Sequence, residues 1–294
     1  MTASRKSVLL IFVLLMSVGY SVTPPVLLAS PLISPTTQSA TSPARTFIGP
    51  DGNPLPFEND DEVMEFLRTA KVMKRSDIGT GINRFKKLTL EQDGVKAHAI
   101  FRDADVTEQN TRVGDRHYRV FRDSYLFECA AYELGRLIGI INIPPVVIRR
   151  IGRTNGSLQL WVEDVRDEDH EAFSPPEPMA WVRQVREMIL FDSMIFNVDR
   201  NPGNILVTHD YTLFMIDQTR GFQEILELFE PERVTHVNRA TWDKLRSVSE
   251  AEFRDAVRKY LTVTELNALV ARRKLLIKHF EGLVETRGEG AVVQ

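Results

Sequence analysis

The chain of 294 residues contains one cysteine, Cys129, so an intramolecular disulfide and a thiolate metal cage are both excluded. The apolar neighbours Phe127 and Ala130 predict that this thiol is a small buried core group. Histidines are also few, and their scattered positions match no zinc-ligand spacing. Zinc chemistry is therefore not expected.

The sequence also lacks a charge bias. Its 37 basic and 40 acidic side chains leave a formal net charge of −3. General nucleic-acid binding needs a basic stripe, so nucleic acid is not an expected partner. An apolar fraction of 43% and a charged fraction of 26% are typical of a globular protein and exclude wholesale disorder or a multi-span membrane bundle. The length allows one large domain or two smaller ones.

The N-terminal segment differs from the rest of the chain. Arg5 and Lys6 precede an apolar run over 8–22, which is the pattern of an export signal. Residues 1–29 are predicted to be a signal peptide or a membrane anchor, and both remain open because prolines interrupt the cleavage region. The folded part is expected to be exported or membrane-anchored on the non-cytoplasmic side. Residues 30–56, rich in Pro, Ser and Thr, are predicted to be a disordered linker.

A strand-rich first lobe is predicted over residues 57–175. Two alternating apolar runs flank Asp93-Gly94, which predicts a β-hairpin. The segment Gly79-Thr80-Gly81 leads into this hairpin. Glycines have no Cβ and let backbone N–H groups approach phosphates, so Gly79-Thr80-Gly81 is a candidate nucleotide-binding loop; a plain turn is the alternative.

A helix is expected over 124–138, because apolar residues recur there at three- and four-residue steps. Glu128 lies near its apolar side, where an unpaired carboxylate is costly, so a cationic partner is expected; a solvated helix carboxylate is the alternative. A strand is predicted over 157–162. The Pro-rich link at 175–178 then predicts a boundary to a helical second lobe over 176–290.

The strongest chemical signal lies in the second lobe. The sequence Asn197-Val-Asp-Arg-Asn-Pro-Gly-Asn204 follows a predicted helix, and Asp217 ends a short apolar strand. An Asp-x-x-x-x-Asn spacing followed by a strand-terminal Asp is the pattern of kinase-type phosphoryl transfer. In that chemistry one carboxylate accepts or orients the acceptor proton, while an amide oxygen and a second carboxylate hold magnesium through hard oxygens. A turn-stabilising pair is the alternative; the alternating ligands and final glutamate of a calcium loop are missing.

These residues resemble the catalytic and metal-binding loops of the atypical kinases, which include the phosphatidylinositol kinases, the HipA-type kinases and the secretory-pathway protein kinases. The resemblance covers residues 77–222, about half the chain. It implies an α+β, two-lobed protein-kinase-like fold with a strand-rich N-lobe and a helical C-lobe, and ATP and Mg2+ as cofactors. The residues that it assigns are Asp199 as catalytic base, Asn204 and Asp217 as metal ligands, Glu128 as partner of a strand lysine, and Trp161 and Val162 at the adenine-binding hinge.

One position departs from the kinase pattern. The strand expected to carry the phosphate-binding lysine ends Ala99-Ile-Phe-Arg102, so an arginine takes that position. Arginine keeps the positive charge and can pair with Glu128 and phosphate oxygens, but its planar fork is bulkier than an ammonium group. Lys96 lies on the same side of the strand and cannot take the same place without a change of register.

The predicted function is ATP- and magnesium-dependent transfer of a γ-phosphoryl group to a hydroxyl acceptor, which is a protein, a lipid or a small molecule. The alternative is an exported pseudokinase that binds nucleotide or a partner without catalysis. Arg102 at the lysine position has two explanations: arginine substitutes with reduced or altered chemistry, or the protein binds nucleotide without transferring phosphate. ATP is scarce outside most cells, so either an unusual nucleotide supply exists, the N-terminal segment does not export the domain, or catalysis is not the task. The N-terminal segment is the candidate for membrane association.

Overall fold

The computed structural model describes residues 45–78, 85–166 and 173–294. The predicted signal or anchor at 1–29, the linker up to residue 44 and the Gly79-Thr80-Gly81 segment lie outside the described residues. Within the described ranges, no helix combines the length and the apolar character that crossing a bilayer requires.

The first described residues pack on the fold. Phe47 and Leu55 are buried in the main hydrophobic core, and Arg45 pairs with Asp60 at the start of the first helix. The folded region therefore begins inside the segment 30–56 that was predicted to be a disordered linker. Burial of two large apolar side chains gives this otherwise polar stretch enough stabilisation to be ordered.

The elements of the first lobe are α1 (Asp60–Thr69), β1 (Lys71–Ile78), β2 (Phe85–Gln92), β3 (Val95–Arg102), β4 (Asp105–Val113), β5 (Arg116–Ser124), α2 (Leu126–Ile138), β6 (Val146–Ile151) and β7 (Thr154–Leu160). The lobe is built around an antiparallel sheet with strand order β1-β2-β3-β7-β6, and β4 and β5 form a separate hairpin. The predicted hairpin is β2–β3. Asp93 and Gly94 at its turn have φ of 52° and 82°, the two positive values that a type I′ turn requires.

The second lobe is helical, apart from one small hairpin. Its elements are α3 (Pro178–Ile195), a 3-10 turn (Pro202–Asn204), β8 (Ile205–Val207), β9 (Leu213–Met215), a second 3-10 turn (Pro231–Arg233), α4 (Arg239–Ser247), α5 (Glu250–Val257), α6 (Val263–Arg287) and α7 (Glu289–Val292). One hydrophobic core runs from the sheet into these helices. The α+β class predicted from the sequence is confirmed.

Strands β3 and β7 bring Arg102 to the inner face of the sheet. Their register places Ile100 opposite Gln159 and Arg102 opposite Ser157. Gly156 permits this close approach, since a Cβ there would lie 2.3 Å from the carbonyl oxygen of Arg102. Glycine inside a strand commonly marks such a contact between backbones.

Helix α2 carries Glu128 into the interior. It packs between strands β6 and β7 and helices α4 and α5, and Gly139, with a φ of 83°, ends it in the left-handed conformation. Glu128 is completely buried. The carboxylate is therefore not solvated, and its charge depends on what lies beside it.

The β4–β5 hairpin was not predicted from the sequence. Strand β4 is exposed along most of its length and so shows no apolar alternation. Tyr118 and Phe121 on β5 instead form a small cluster with Phe196 of the second lobe. Arg122 pairs with Glu265 of helix α6 at 3.1 Å. The hairpin thus depends on contacts with residues distant in sequence.

Candidate active site

The loop after helix α3 is held by a buried ion pair. Arg200 donates to both carboxylate oxygens of Asp192, at 2.9 and 3.0 Å. The same guanidinium donates to the backbone oxygens of Asn204 at 2.7 Å and Ile216 at 2.8 Å. Asn197 also donates to Asp192, at 2.9 Å. The planar guanidinium of Arg200 makes its four hydrogen bonds at once. Arg200 therefore fixes the two ends of the β8–β9 hairpin relative to the loop.

Asp199 lies in this loop with about a third of its side chain exposed. One carboxylate oxygen lies 3.2 Å from Nη1 of Arg220, and the other accepts from Nδ2 of Asn201 at 3.1 Å. Its backbone oxygen accepts from Nδ2 of Asn204 at 2.8 Å. The Asn204 amide is therefore oriented through its nitrogen, and its oxygen is the atom with metal-ligand chemistry.

Asp217 follows strand β9 in a left-handed backbone conformation, with a φ of 59°. This conformation is uncommon outside glycine, is best tolerated by Asp and Asn, and is concentrated at functional sites. Thr219 donates to the Asp217 carboxylate at 3.0 Å. The backbone N–H of Ile216 donates to the carbonyl oxygen of Asn204 at 3.1 Å. Asn204 and Asp217 thus lie on two segments that are hydrogen-bonded to each other.

Arg102 is buried between two carboxylates from other elements, with 4% of its surface exposed. Its Nε lies 3.7 Å from Oε1 of Glu128 and 3.9 Å from Oδ1 of Asp217. Oε1 of Glu128 also accepts from the backbone N–H of Gln218 at 3.2 Å. The strand arginine, the helix glutamate and the second-lobe aspartate therefore meet in one cluster.

This cluster contains buried polar atoms without hydrogen-bond partners in the described parts of the chain, namely Nε and Nη1 of Arg102 and Oε2 of Glu128. Burial raises the pKa of Glu128 to about 7; the charge of Arg102 opposes the rise and that of Asp217 adds to it. A buried polar group left unpaired costs about 1–3 kcal/mol. The cluster therefore has the chemistry of a site that gains from a polar ligand.

A cavity of about 280 Å3 adjoins Arg102. It is lined by Ile100, Arg102, Gln159, Leu160, Trp161, Val162, Glu163, Val165, Leu206 and Ile216. Trp161 and Val162, which were predicted to lie at a hinge, are thus both in its wall. The ammonium nitrogen Nζ of Lys87 lies 4.0 Å from the centroid of the Trp161 ring. A mostly apolar cavity with a cation at its edge suits a flat ring joined to an anionic group.

The structure brings the predicted site residues together in two groups. Arg102, Glu128 and Asp217 are in direct proximity, and Asn204 contacts Asp199. Among the described residues, no group of three or more His, Cys, Asp or Glu side chains is arranged to hold a metal ion. The Gly79-Thr80-Gly81 loop lies outside the described residues, so its place near phosphates stays a prediction.

Arg220 is a site residue that was not predicted from the sequence. It joins Asp199, at 3.2 Å, to Asp123 at the end of strand β5, at 2.9 Å. The backbone N–H of Ser124 donates to the carbonyl oxygen of Thr219 at 2.9 Å. Strand β5 and the loop after β9 are therefore joined at two points. No spacing in the sequence signals these contacts, because they join segments nearly a hundred residues apart.

No protein-family model matches the sequence, and no curated protein matches it either. Several solved structures do match the fold of the chain. The structure of hydra Fam20 with sugar gives a TM-score of 0.60 at 16% identity, covering 81% of this chain and 93% of that chain. The Golgi casein kinase gives a TM-score of 0.57 at 13% identity, covering 80% and 78%. The fold is protein-kinase-like.

A structure of the Golgi casein kinase with Mn/ADP bound gives the same TM-score of 0.57, at 14% identity and with coverage of 80% of this chain and 78% of that chain. The kinase-like fold implied by the resemblance to the atypical kinases is thereby confirmed. Identities this low establish the fold alone, so the function has to be argued from the residues of the site.

Proposed function

We propose that the protein is a phosphotransferase that moves the γ-phosphoryl group of magnesium-bound ATP to a hydroxyl acceptor. The observation that carries this proposal is the buried cluster of Arg102, Glu128 and Asp217 at the edge of an apolar cavity. The kinase-like fold supports it, as does the Mn/ADP bound by the structurally similar Golgi casein kinase. The acceptor is a protein, a lipid or a small molecule that carries a hydroxyl group.

The cavity and Arg102 fit a nucleotide. The base would lie in the cavity beside Trp161 and Val162. The phosphates would accept from Nη1 of Arg102, which has no hydrogen-bond partner in the described ranges. Charge-assisted hydrogen bonds of this kind are strong, and a buried cation without them is costly. Glu128, whose Oε1 lies 3.7 Å from Nε of Arg102, would hold the guanidinium in place, and the Gly79-Thr80-Gly81 loop would cover the phosphates.

The residues also fit a magnesium ion. Asn204 and Asp217 offer amide and carboxylate oxygens, the hard ligands that Mg2+ prefers. Thr219 holds the Asp217 carboxylate in place. A bound ion would neutralise charge on the transferring phosphoryl group. Asp199 is exposed enough to orient the acceptor hydroxyl and to take its proton.

Two observations favour a second candidate, a pseudokinase that binds nucleotide or a partner without catalysis. Arg102 replaces the expected lysine, and its bulkier fork lies within 3.9 Å of Asp217, close to the proposed ion. Asp199 is paired with Arg220 at 3.2 Å, and this contact competes with an incoming hydroxyl group. Both features permit nucleotide binding while slowing transfer.

Thermal unfolding with Mg2+ and ATP tests the nucleotide part of the proposal. A nucleotide present at 100 times its dissociation constant stabilises the folded state by about 2.7 kcal/mol. For a domain of this size that corresponds to a rise in Tm of about 5–10 °C. Absence of any rise at saturating concentrations would reject both the phosphotransferase and the nucleotide-binding pseudokinase.

Transfer is then measured as loss of the γ-phosphate from labelled ATP to water or to the protein itself. Asp199→Ala is expected to reduce the rate at least about 100-fold, as loss of a general base does. The matched control is Asp243→Ala, which removes an exposed aspartate on helix α4. Equal background from wild type and Asp199→Ala, with the thermal shift retained, would reject catalysis and leave the pseudokinase.

A further inference from the structure

Strand β4 forms an open edge of the first lobe. Among the described strands it pairs only with β5, in a sheet of two strands. The first six residues of β4, 105–110, are all exposed, and Val106 leaves 52% of its surface exposed. An edge strand presents a row of backbone N–H and C=O groups, which can accept an additional strand.

The other edge of the hairpin, on β5, is already occupied. The backbone N–H of Ser124 donates to the carbonyl oxygen of Thr219 at 2.9 Å. The backbone N–H of Arg122 donates to Oε1 of Gln223 at 3.2 Å, and the carbonyl oxygen of Arg122 accepts from Nε2 of Gln223 at 2.8 Å. The backbone groups of Arg122 and Ser124 therefore point away from β4.

This pattern determines which backbone groups of β4 face outwards. Thr107 lies opposite Arg122, and Asp105 lies opposite Ser124. In an antiparallel pair, opposite residues either exchange both hydrogen bonds or point their backbone groups away from each other, and the two kinds alternate along the strand. The backbone groups of Asp105, Thr107 and Gln109 therefore face outwards. No backbone hydrogen bond between described residues reaches them from that side.

The open edge is short and acidic. Asn110, with a φ of 50°, interrupts the extended strand after Gln109. Asp105 is paired with Arg122 at 2.9 Å, whereas Glu108 has no ion-pair partner in the described parts of the chain. Two copies of the chain joined through this edge would set one acidic strand against another. Opposite charges on neighbouring strands are favourable and like charges are not, so the edge is complementary to a basic strand.

The base of the hairpin lies at the candidate active site. Asp123, which is opposite Val106, pairs with Arg220 at 2.9 Å, and Arg220 reaches Asp199 at 3.2 Å. An added strand would lie about 4.8 Å beyond β4. Antiparallel pairing is the slightly more stable kind, and a strand added in that direction runs from the hairpin tip towards its base. The C-terminal end of the added strand therefore leads towards Asp199.

We propose that β4 docks the acceptor as an extended polypeptide, which adds as an antiparallel strand along residues 105–109. This inference rests on the proposed function and names a protein as the acceptor. The docked segment has a basic residue opposite Glu108 and, two residues later, an apolar residue opposite Val106; the acceptor hydroxyl follows C-terminal to both. Main-chain hydrogen bonds give the affinity, and these two side-chain positions give the specificity.

The test uses labelled synthetic peptides that carry a stretch of Val and Gln followed by a single Ser, with one Lys placed at each position of the stretch in turn. A second set has Glu in place of Lys. Binding to the full chain is measured by fluorescence anisotropy without nucleotide. At one position, wild type is expected to bind the Lys peptide about fivefold more tightly than the Glu peptide. Glu108→Lys should reverse that order, and the control Glu281→Lys, the same charge reversal on helix α6, should keep it.

A second variant tests the backbone hydrogen bonds. Thr107→Pro removes an outward N–H that β5 does not use, and proline is tolerated at such edge positions. It should weaken the binding of every peptide at least about tenfold. Thr107→Ala keeps the N–H and should bind as wild type does. If Thr107→Pro does not fold, the reversal by Glu108→Lys decides alone.

Wild type that binds neither peptide set would overturn the inference, and so would a Glu108→Lys protein that keeps the wild-type order. A dimer in sedimentation that Thr107→Pro dissociates would assign the edge to a second copy and overturn it as well. Binding with the expected reversal, together with phosphate transfer to the Ser, supports it. The same binding with ATP turned over but no transfer to the Ser would refute the acceptor role. Without any turnover of ATP, the phosphotransferase is refuted and β4 is left as the docking edge of a pseudokinase.

Discussion

Replacing Glu128 by glutamine is expected to stabilise the folded protein above neutral pH. The carboxyl is completely buried, and burial raises its pKa from 4.5 to about 7. Its charged form is therefore less favourable in the folded state than in the unfolded chain, where the group is hydrated. Glutamine has nearly the same shape and never carries that charge. The same substitution should weaken the proposed nucleotide site, because Arg102 loses its nearest carboxylate.

Proton linkage sets both the sign and the size of the effect. A folded-state pKa above the unfolded value means that the folded state binds the proton more tightly. This contribution to stability is fully present below pH 4.5 and is lost as the pH rises through 7. The rise from 4.5 to about 7, at 1.36 kcal/mol per pH unit, corresponds to about 3 kcal/mol. The advantage of Glu128→Gln should grow from near zero at pH 4.5 to about that size at pH 8.

The assay is urea unfolding of wild type and Glu128→Gln between pH 4.5 and 8.5, without nucleotide and with EDTA, so that ligand binding is the same for both. The control is Glu281→Gln, which makes the same chemical change at an exposed position on helix α6. A Glu128→Gln protein that is less stable than wild type at pH 8 would contradict the prediction. It would mean that the Arg102–Glu128 pair is charged and stabilises the fold.

Three further substitutions test contacts that hold the fold and the candidate site. Gly156→Ala should destabilise the fold by about 1–3 kcal/mol, since its Cβ meets the Arg102 carbonyl oxygen at 2.3 Å, and should weaken ADP binding measured by titration. Arg272→Met removes a buried cation that donates to the carbonyl oxygens of Met194 and Gln223. It should lower the free energy of unfolding, measured in urea, by about 3 kcal/mol. The surface change Lys274→Met is the control and should have little effect. Arg200→Lys cannot bridge Asp192 and two carbonyl oxygens at once, so transfer should fall at least about tenfold with the thermal shift retained.

The parts of the fold that the sequence predicted are those with local signals. Asp93-Gly94 specifies its turn through two positive φ values, and Gly139 ends helix α2 in the same way. Strand β4 has no such signal, because it is exposed on both faces. The register of β3 on β7 depends on Gly156 and on a strand more than fifty residues away, so it could not be derived from a pattern within either strand.

The same division holds for the candidate site. Asp199, Asn204 and Asp217 were predicted because they form a spaced motif, although their roles remain predictions. Arg200 lies inside that motif, so its position beside Asp199 was the available signal. Arg220 was missed because its carboxylate partners lie on different segments. Contacts of this kind become visible only once the chain is folded.

Most of the buried side-chain atoms without hydrogen-bond partners in the described ranges belong to Arg102, to Glu128 and to three residues near them, Ser157, Gln159 and Gln218. Such atoms are costly, so their concentration there favours a ligand that satisfies several at once. The register places Gln159 opposite Ile100, two residues along the strand from Arg102, a separation of about 7 Å. An inorganic phosphate would satisfy only Arg102. A molecule with a hydrogen-bond donor at one end and an anion at the other would satisfy both, which favours a nucleotide over a simple anion.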